Sequence, residues 1–277
     1  MKKSMMPMNA FITIMLVLVI SGVLFAGQTK ISNKIDDASR LDACRLSIIA
    51  AEKSKNMPLS KGNPKAVINC ERNEYLLKGE YIFTEVQKDI NQDKLNKKIA
   101  EILYETWKAV ASGRHHPFTD WGDEEGGIRF KTLCIVWYNI KLDSTLKSYL
   151  RRTKEGIFFS WDSLKELRPD NSDNTYETLI FGDGGLPDKL QGKKTILDEG
   201  TLIIAKEHIG DLNSKHWDWF WNKELGYGGK LEKKAFVWSL DIIPSGKSFS
   251  DYDGEIKIEG DKYTSTERYR ICDQIAN

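Results

Sequence analysis

Several features are missing from this chain of 277 residues, and each absence removes a class of function. There is no C-x-x-C pair, so a zinc ribbon and a thioredoxin-type redox motif are excluded. There is no excess of either charge. Lys and Arg number 41 against 40 Asp and Glu, and the signs are interspersed, so nothing electrostatic points to nucleic acid as a partner. The sequence contains no G-x-x-x-x-G-K-[ST], G-x-G-x-x-G, G-x-S-x-G or H-E-x-x-H. Without them there is no phosphate loop, dinucleotide fingerprint, hydrolase nucleophile elbow or zincin helix to argue from, and no cofactor is expected. No N-x-[ST] sequon is present either. Disorder is also excluded, because 40% of the residues are hydrophobic.

The clearest positive feature is AFITIMLVLVISGVLFAG, residues 10–27, which carries no charge. Its eighteen residues would span about 27 Å as a helix, close to the hydrocarbon thickness of a bilayer. Signal peptidase needs small residues at −3 and −1. Cleavage after Ala26, Gly27 or Gly22 would put Leu24, Phe25 or Ile20 at −3, so an uncleaved anchor is the better reading. The flanking charges do not orient it: Lys2 and Lys3 stand on one side, Lys30, Lys34 and Arg40 on the other.

Beyond the run, Ile31, Ile35, Ala38, Leu41, Cys44, Ile48 and Ala51 recur at helical steps. The sequence thus predicts a short cytoplasmic tail (1–9), a transmembrane helix (10–27), a juxtamembrane amphipathic helix (28–55) and an extracytoplasmic domain (56–277). That domain reads as α+β, with an antiparallel or mixed sheet. Strands are expected at Val67–Cys70, Tyr75–Phe83, Gly156–Phe159, Thr178–Phe181, Thr201–Ala205, Ala235–Ile243, Glu255–Ile258 and Arg268–Cys272. Ile128–Leu142, apolar on both faces, reads as the central strand. Helices are expected from Asp93 to about Ser112, after Ser160 or Asp162, and from Ser214 to Leu225.

The four cysteines, Cys44, Cys70, Cys134 and Cys272, all follow the membrane run. Widely spaced and even in number, they suit two disulfides in an oxidising compartment, and hence an outward-facing domain. Three connectivities are possible. Cys44–Cys70, flanking one helix and its loop, with Cys134–Cys272, tying a central strand to the chain end, is favoured.

Three clusters could carry chemistry. His115 and His116 lie close to Asp120, Asp123, Glu124 and Glu125, a metal-ligand composition without a metal-ligand spacing. A solvated loop explains them as well, so no metal is expected and His115, His116, Asp120 and Asp123 are weak candidates. Gly182-Asp183-Gly184-Gly185 reads as a turn rather than a phosphate cradle. Trp217, Trp219 and Trp221 in HWDWFW form the densest aromatic group, a core segment or a binding patch. His208 and His216 could serve as bases, but no nucleophile is paired with either in sequence, and catalytic residues stay unassigned.

Asp42-Ala43-Cys44-Arg45, Ile68-Asn69-Cys70, a helix with Tyr104 and Trp107, and Leu133-Cys134-Ile135-Val136 follow one another after the anchor. This arrangement resembles uncharacterised single-pass membrane proteins of small-genome archaea. The resemblance covers about half the chain, and implies an outward-facing, disulfide-bearing domain with no known activity. The membrane-plus-rod organisation is also similar to type IV pilins, but the position of the usual pilin Glu is Met15 and no processing motif precedes the run.

The expected function is therefore a membrane-anchored, non-catalytic binding or envelope-structural domain at the cell membrane. Its partners would be the lipid bilayer through residues 10–27 and an envelope component or protein. The alternatives are a hydrolase using the His115/His116 acidic loop and a pilin-like filament subunit.

Overall fold

The structure is a computed structural model that describes residues 39–55, 68–84, 89–117, 130–154, 156–210, 236–250, 252–259, 264–272 and 274–276. For 130, 131, 252–259, 264–270, 274 and 276 the description is of the backbone alone. The chain divides into two units, Met1–Asp42 and Ala43–Asn277, and the second holds the sheet and its disulfides. The expected transmembrane helix at 10–27 and the expected helix at 214–225 lie outside the described residues. Among the described residues no helix is long and apolar enough to cross a membrane.

The domain is α+β. In chain order it comprises α1 (39–55), β1 (Asn73–Leu77), α2 (Gly79–Ile82), α3 (Gln92–Ala109), β2 (Phe130–Leu142), α4 (Ser144–Thr153), β3 (Ile157–Ser160), α5 (Tyr176–Phe181), β4 (Lys194–Leu197), β5 (Leu202–Gly210), β6 (Phe236–Ile243), β7 (Tyr252–Glu259), β8 (Thr264–Arg270) and β9 (Gln274–Ala276). The main sheet runs β1-β2-β5-β6 and is mixed: β1 and β9 pair with β2 in parallel, at different heights, while β5 and β6 are antiparallel. β2 is central, as its two apolar faces require, because each face must be covered. β3–β4 and β7–β8 are separate two-stranded ribbons.

Local chemistry explains most element ends. The helix expected to be capped by Asp93 is capped two residues earlier, by Asn91, whose side chain accepts from the Lys94 N–H at 3.0 Å. Asp143 caps α4 through Leu146 N–H (2.8 Å), and its second oxygen accepts from Gly79 N–H (3.0 Å), so one carboxylate starts two helices. Thr178–Phe181, expected as a strand, is helical: Thr175 accepts from Thr178 N–H and caps it, and Gly182 (φ 64°) ends it. Tyr75–Phe83, also expected as a strand, stays in the sheet only as far as Leu77, turns into α2 and then makes a single bridge from Phe83 to Ile90, while 68–70 is irregular. Helix α4 and strand β4 have no counterpart among the elements expected from sequence.

Two disulfides hold the domain, Cys44–Cys70 and Cys134–Cys272, the connectivity favoured from sequence. They link positions 26 and 138 residues apart, and loop entropy assigns about 3.5 and about 5 kcal/mol to them. Both point to an oxidising compartment. The second bond lies in a buried cluster of Cys134, Val136, Ile204, Ile243, Ile271 and Cys272 on one face of the sheet. The other face carries Ile203, Ala205, Glu207 and Trp238. Helix α3 lies against that face, with Tyr138 donating to Glu105 at 2.9 Å and the Gly113 backbone close to the Trp238 side chain.

Candidate functional site

Strand β5 carries three consecutive buried polar side chains, Lys206, Glu207 and His208. Side chains alternate along a strand, so Glu207 enters one face of the sheet while Lys206 and His208 enter the other. Buried charge is tolerated only where it is paired or hydrogen-bonded, and each side of β5 meets that demand differently.

On the Glu207 side, the segment after α3 delivers two histidines. His116 Nδ1 lies 2.7 Å from Glu207 Oε1, and His115 Nδ1 lies 2.5 Å from Glu52 Oε2 on α1. The His116 N–H donates to the other oxygen of Glu52 at 3.1 Å. Two residues of β6 frame the pair. The Phe236 ring stacks on the His116 imidazole at 4.8 Å, and Trp238 Nε1 donates to the His115 carbonyl at 2.7 Å. Burial pushes the Glu52 carboxyl up, but the bonds from His115 and His116 outweigh it and hold it below its ordinary range. For Glu207 the balance reverses. It is fully buried, and burial outweighs His116 and carries its carboxyl up to about 7. Its Oε2 has no hydrogen-bond partner among the described residues.

On the opposite side, Lys206 Nζ meets Asp241 Oδ2 at 2.6 Å. Burial raises the Asp241 carboxyl, but Lys206, Lys193 and Lys189 overcome it and hold it at about 2. His208 is fixed between Thr132 Oγ1 (3.1 Å) and Ser239 Oγ (2.8 Å). Burial, then Lys189 and Lys206, push its imidazole well below the ordinary histidine range. It serves as a neutral strut and not as a poised base.

The backbone that delivers His115 and His116 is strained. Ala111, Ser112 and Gly113 all adopt left-handed conformations, with φ of 52°, 55° and 66°. Each L-residue held there costs about 1–2 kcal/mol, and such residues persist mainly where the surroundings impose them. Only glycine fits at 113, since a Cβ would lie 2.5 Å from the Trp107 ring. The turn floors a cleft of about 440 Å3. Trp107, Phe181, Phe236 and Trp238 give it aromatic walls, and Arg114 is the one charged side chain among the described lining residues.

The two histidines singled out in sequence are thus brought to one cluster, but with Glu52 and Glu207, acids 63 and 91 residues away, in place of the local acids. Asp120 and Asp123 lie outside the described residues, as do Glu124, Glu125, Trp217, Trp219, Trp221 and His216. Among the described residues no group of three or more His, Cys, Asp or Glu is placed to hold a metal ion. The glycine turn 182–185 is held by Glu177 accepting from Leu186 N–H at 2.8 Å. Glu52 and Glu207 could not be found in sequence, because no spacing links them to the histidines. A weaker signal was there: three polar residues in the middle of an apolar strand.

No family model matches this chain, and no curated protein or solved structure does so either.

Proposed function

We propose that this chain is a membrane-anchored, outward-facing binding protein whose ligand is a small organic anion with a flat apolar body. The observation that carries the reading is the cleft over the left-handed turn, aromatic on its walls with one guanidinium at Arg114. Its volume of about 440 Å3 is within the range of small-molecule sites. Indole and phenyl faces take flat apolar groups, and a guanidinium takes a carboxylate through two parallel hydrogen bonds. The buried His116–Glu207 pair and the partly exposed His115–Glu52 pair are the framework that holds Trp238, Phe236 and the turn in place.

Residues 10–27 anchor this domain in the bilayer on this reading, and the disulfides support its outward placement. The resemblance to archaeal single-pass membrane proteins agrees with the same layout. A filament subunit fits less well: along 39–55, Cys44, Ile48 and Ala51 are buried, and Leu46 is the one large apolar side chain that is strongly exposed.

The test uses the full chain in a neutral detergent, titrated calorimetrically with indole-3-acetate and its uncharged amide. The acetate binds, the amide binds at least about tenfold more weakly, and Arg114→Gln abolishes the difference. Failure of both probes to bind at millimolar concentration sinks the ligand class. Placement is tested separately by acid-quenching cells and alkylating thiols after denaturation, because all four cysteines are buried in the fold. Four free thiols would refute it.

A further inference from the structure

The groove beside β1 is independent of the cleft. β1 is the last strand of its sheet and, among the described residues, pairs only with β2. The outer side of such a strand offers backbone donors and acceptors to any extended chain that fits. Next to it runs a groove of about 570 Å3. Tyr75 and Leu76 form its β1 side, and Lys94, Lys97, Lys98 and Glu101 its α3 side. Lys78 and Tyr81 close one end.

Two properties set this groove apart. Leu76 and Tyr81 are 48% and 51% exposed, although large apolar side chains at a sheet edge invite association. The polar lining is four lysines against one glutamate. Two of the lysine pairs are surface contacts, Lys97 with Asp170 and Lys78 with Glu80, and exposed pairs of this kind hold weakly and exchange readily, while Lys98 is half-buried between Glu101 and Tyr75. The Lys94 side chain has no partner among the described residues. These lysines repel a neutral or basic strand, which guards the edge, and they attract an acidic one.

We propose that the outer edge of β1 and the adjacent face of α3 dock an extended acidic segment of a partner protein, added to the sheet as a further strand. The spacing agrees. Alternate side chains of a strand recur about every 6.8 Å, and Lys94 and Lys98 are separated by about 6 Å along the helix axis. Backbone hydrogen bonds to β1 supply affinity, Leu76 and Tyr81 receive the apolar side chains, and the α3 lysines select carboxylates.

The experiment uses the full chain in neutral detergent with a fluorescent acetyl-(Glu-Val)4-amide peptide. Its controls are the (Lys-Val)4 peptide and a (Glu-Val)4 peptide N-methylated on alternate residues. The acidic peptide binds with amide shifts centred on Tyr75–Leu77, and both controls bind at least about tenfold more weakly. Lys94→Glu weakens it at least about fivefold at an unchanged melting temperature, and indole-3-acetate does not compete. The proposal is overturned if the acidic peptide fails to bind, or if N-methylation leaves its affinity unchanged. It is also overturned if phosphatidylglycerol vesicles bind in a Lys94-dependent way while the peptide does not, since the groove is then a lipid surface.

Discussion

The two sides of β5 solve one problem in opposite ways. Both bury an acid. Asp241 faces the Lys206 ammonium and its carboxyl is driven down to about 2, so it stays ionised. Glu207 faces the His116 imidazole, and its carboxyl is carried up to about 7. At Asp241 three ammonium groups, Lys206, Lys193 and Lys189, outweigh burial, whereas at Glu207 burial outweighs His116. The Lys206 side is therefore a permanent ion pair next to a disulfide, with Cys134 directly opposite Lys206 in the register. The Glu207 side is a buried carboxyl, raised by burial and hydrogen-bonded to His116, next to a cleft. Rigidity and responsiveness lie on opposite faces of one strand.

The comparison breaks most sharply at Lys206. Lys206→Met leaves Asp241 as a largely buried carboxylate without its cation, and is expected to destabilise the domain by about 3–5 kcal/mol. The midpoint of urea unfolding reads this directly. Adding Asp241→Asn to Lys206→Met should recover most of the loss, because the penalty is the orphaned charge and not the missing pair. If the double variant is as unstable as the single one, the ion pair is not what holds this face.

Glu207 tests the other side through pH. Its folded carboxyl titrates near 7 against 4.5 when unfolded, so the folded protein binds the extra proton between those values. Its contribution is complete below pH 4.5 and is lost as pH rises through about 7, a change on the order of 3 kcal/mol. Urea unfolding at pH 5 and pH 8 should show the fall, and Glu207→Gln should flatten it. An unchanged slope in the variant would place the titration elsewhere.

Asp241 has the opposite sign. Its folded carboxyl lies at about 2 against 3.8 unfolded. The stability it gives is present above pH 3.8 and is lost as pH falls through about 2, on the order of 2 kcal/mol. Acid unfolding of Asp241→Asn should lack this component. The two variants together separate the faces: one removes the alkaline loss, the other the acid loss.

The sequence reveals these two sides unevenly. Strand β2 was legible because a long apolar run with no polar face must be central. Both disulfides were legible as one of three pairings. The far half of β5 was not: Lys206, Glu207 and His208 read as the end of a strand that continues to Gly210. A polar triplet inside a strand makes sense only once each partner is known, and those partners come from β2, β6 and the segment after α3. α5 was missed because TLIF alone suits helix and strand alike, and the Thr175 cap and Gly182 stop decide between them. Of the candidate site, the histidines were visible and the acids that engage them were not.

The smallest effects come from the turn that carries those histidines. Gly113→Ala places a Cβ 2.5 Å from the Trp107 ring at φ 66°, so the ring or the turn must move, costing about 1–3 kcal/mol. Ser112→Gly acts the other way. It removes the left-handed cost of an L-residue but adds freedom to the unfolded chain, and the net gain is about 0.5 kcal/mol. The two variants differ further in what they do to Glu207. Its carboxyl is raised by burial, and His116, stacked on Phe236, covers it. Gly113→Ala displaces that segment, so it should shift the alkaline unfolding window, while Ser112→Gly should leave the window in place. Measuring stability against pH for both variants tells whether the turn sets the geometry of the His–Glu pair. If Gly113→Ala lowers stability equally at pH 5 and pH 8, the turn shapes the cleft alone, and the Glu207 side is as rigid as the Lys206 side.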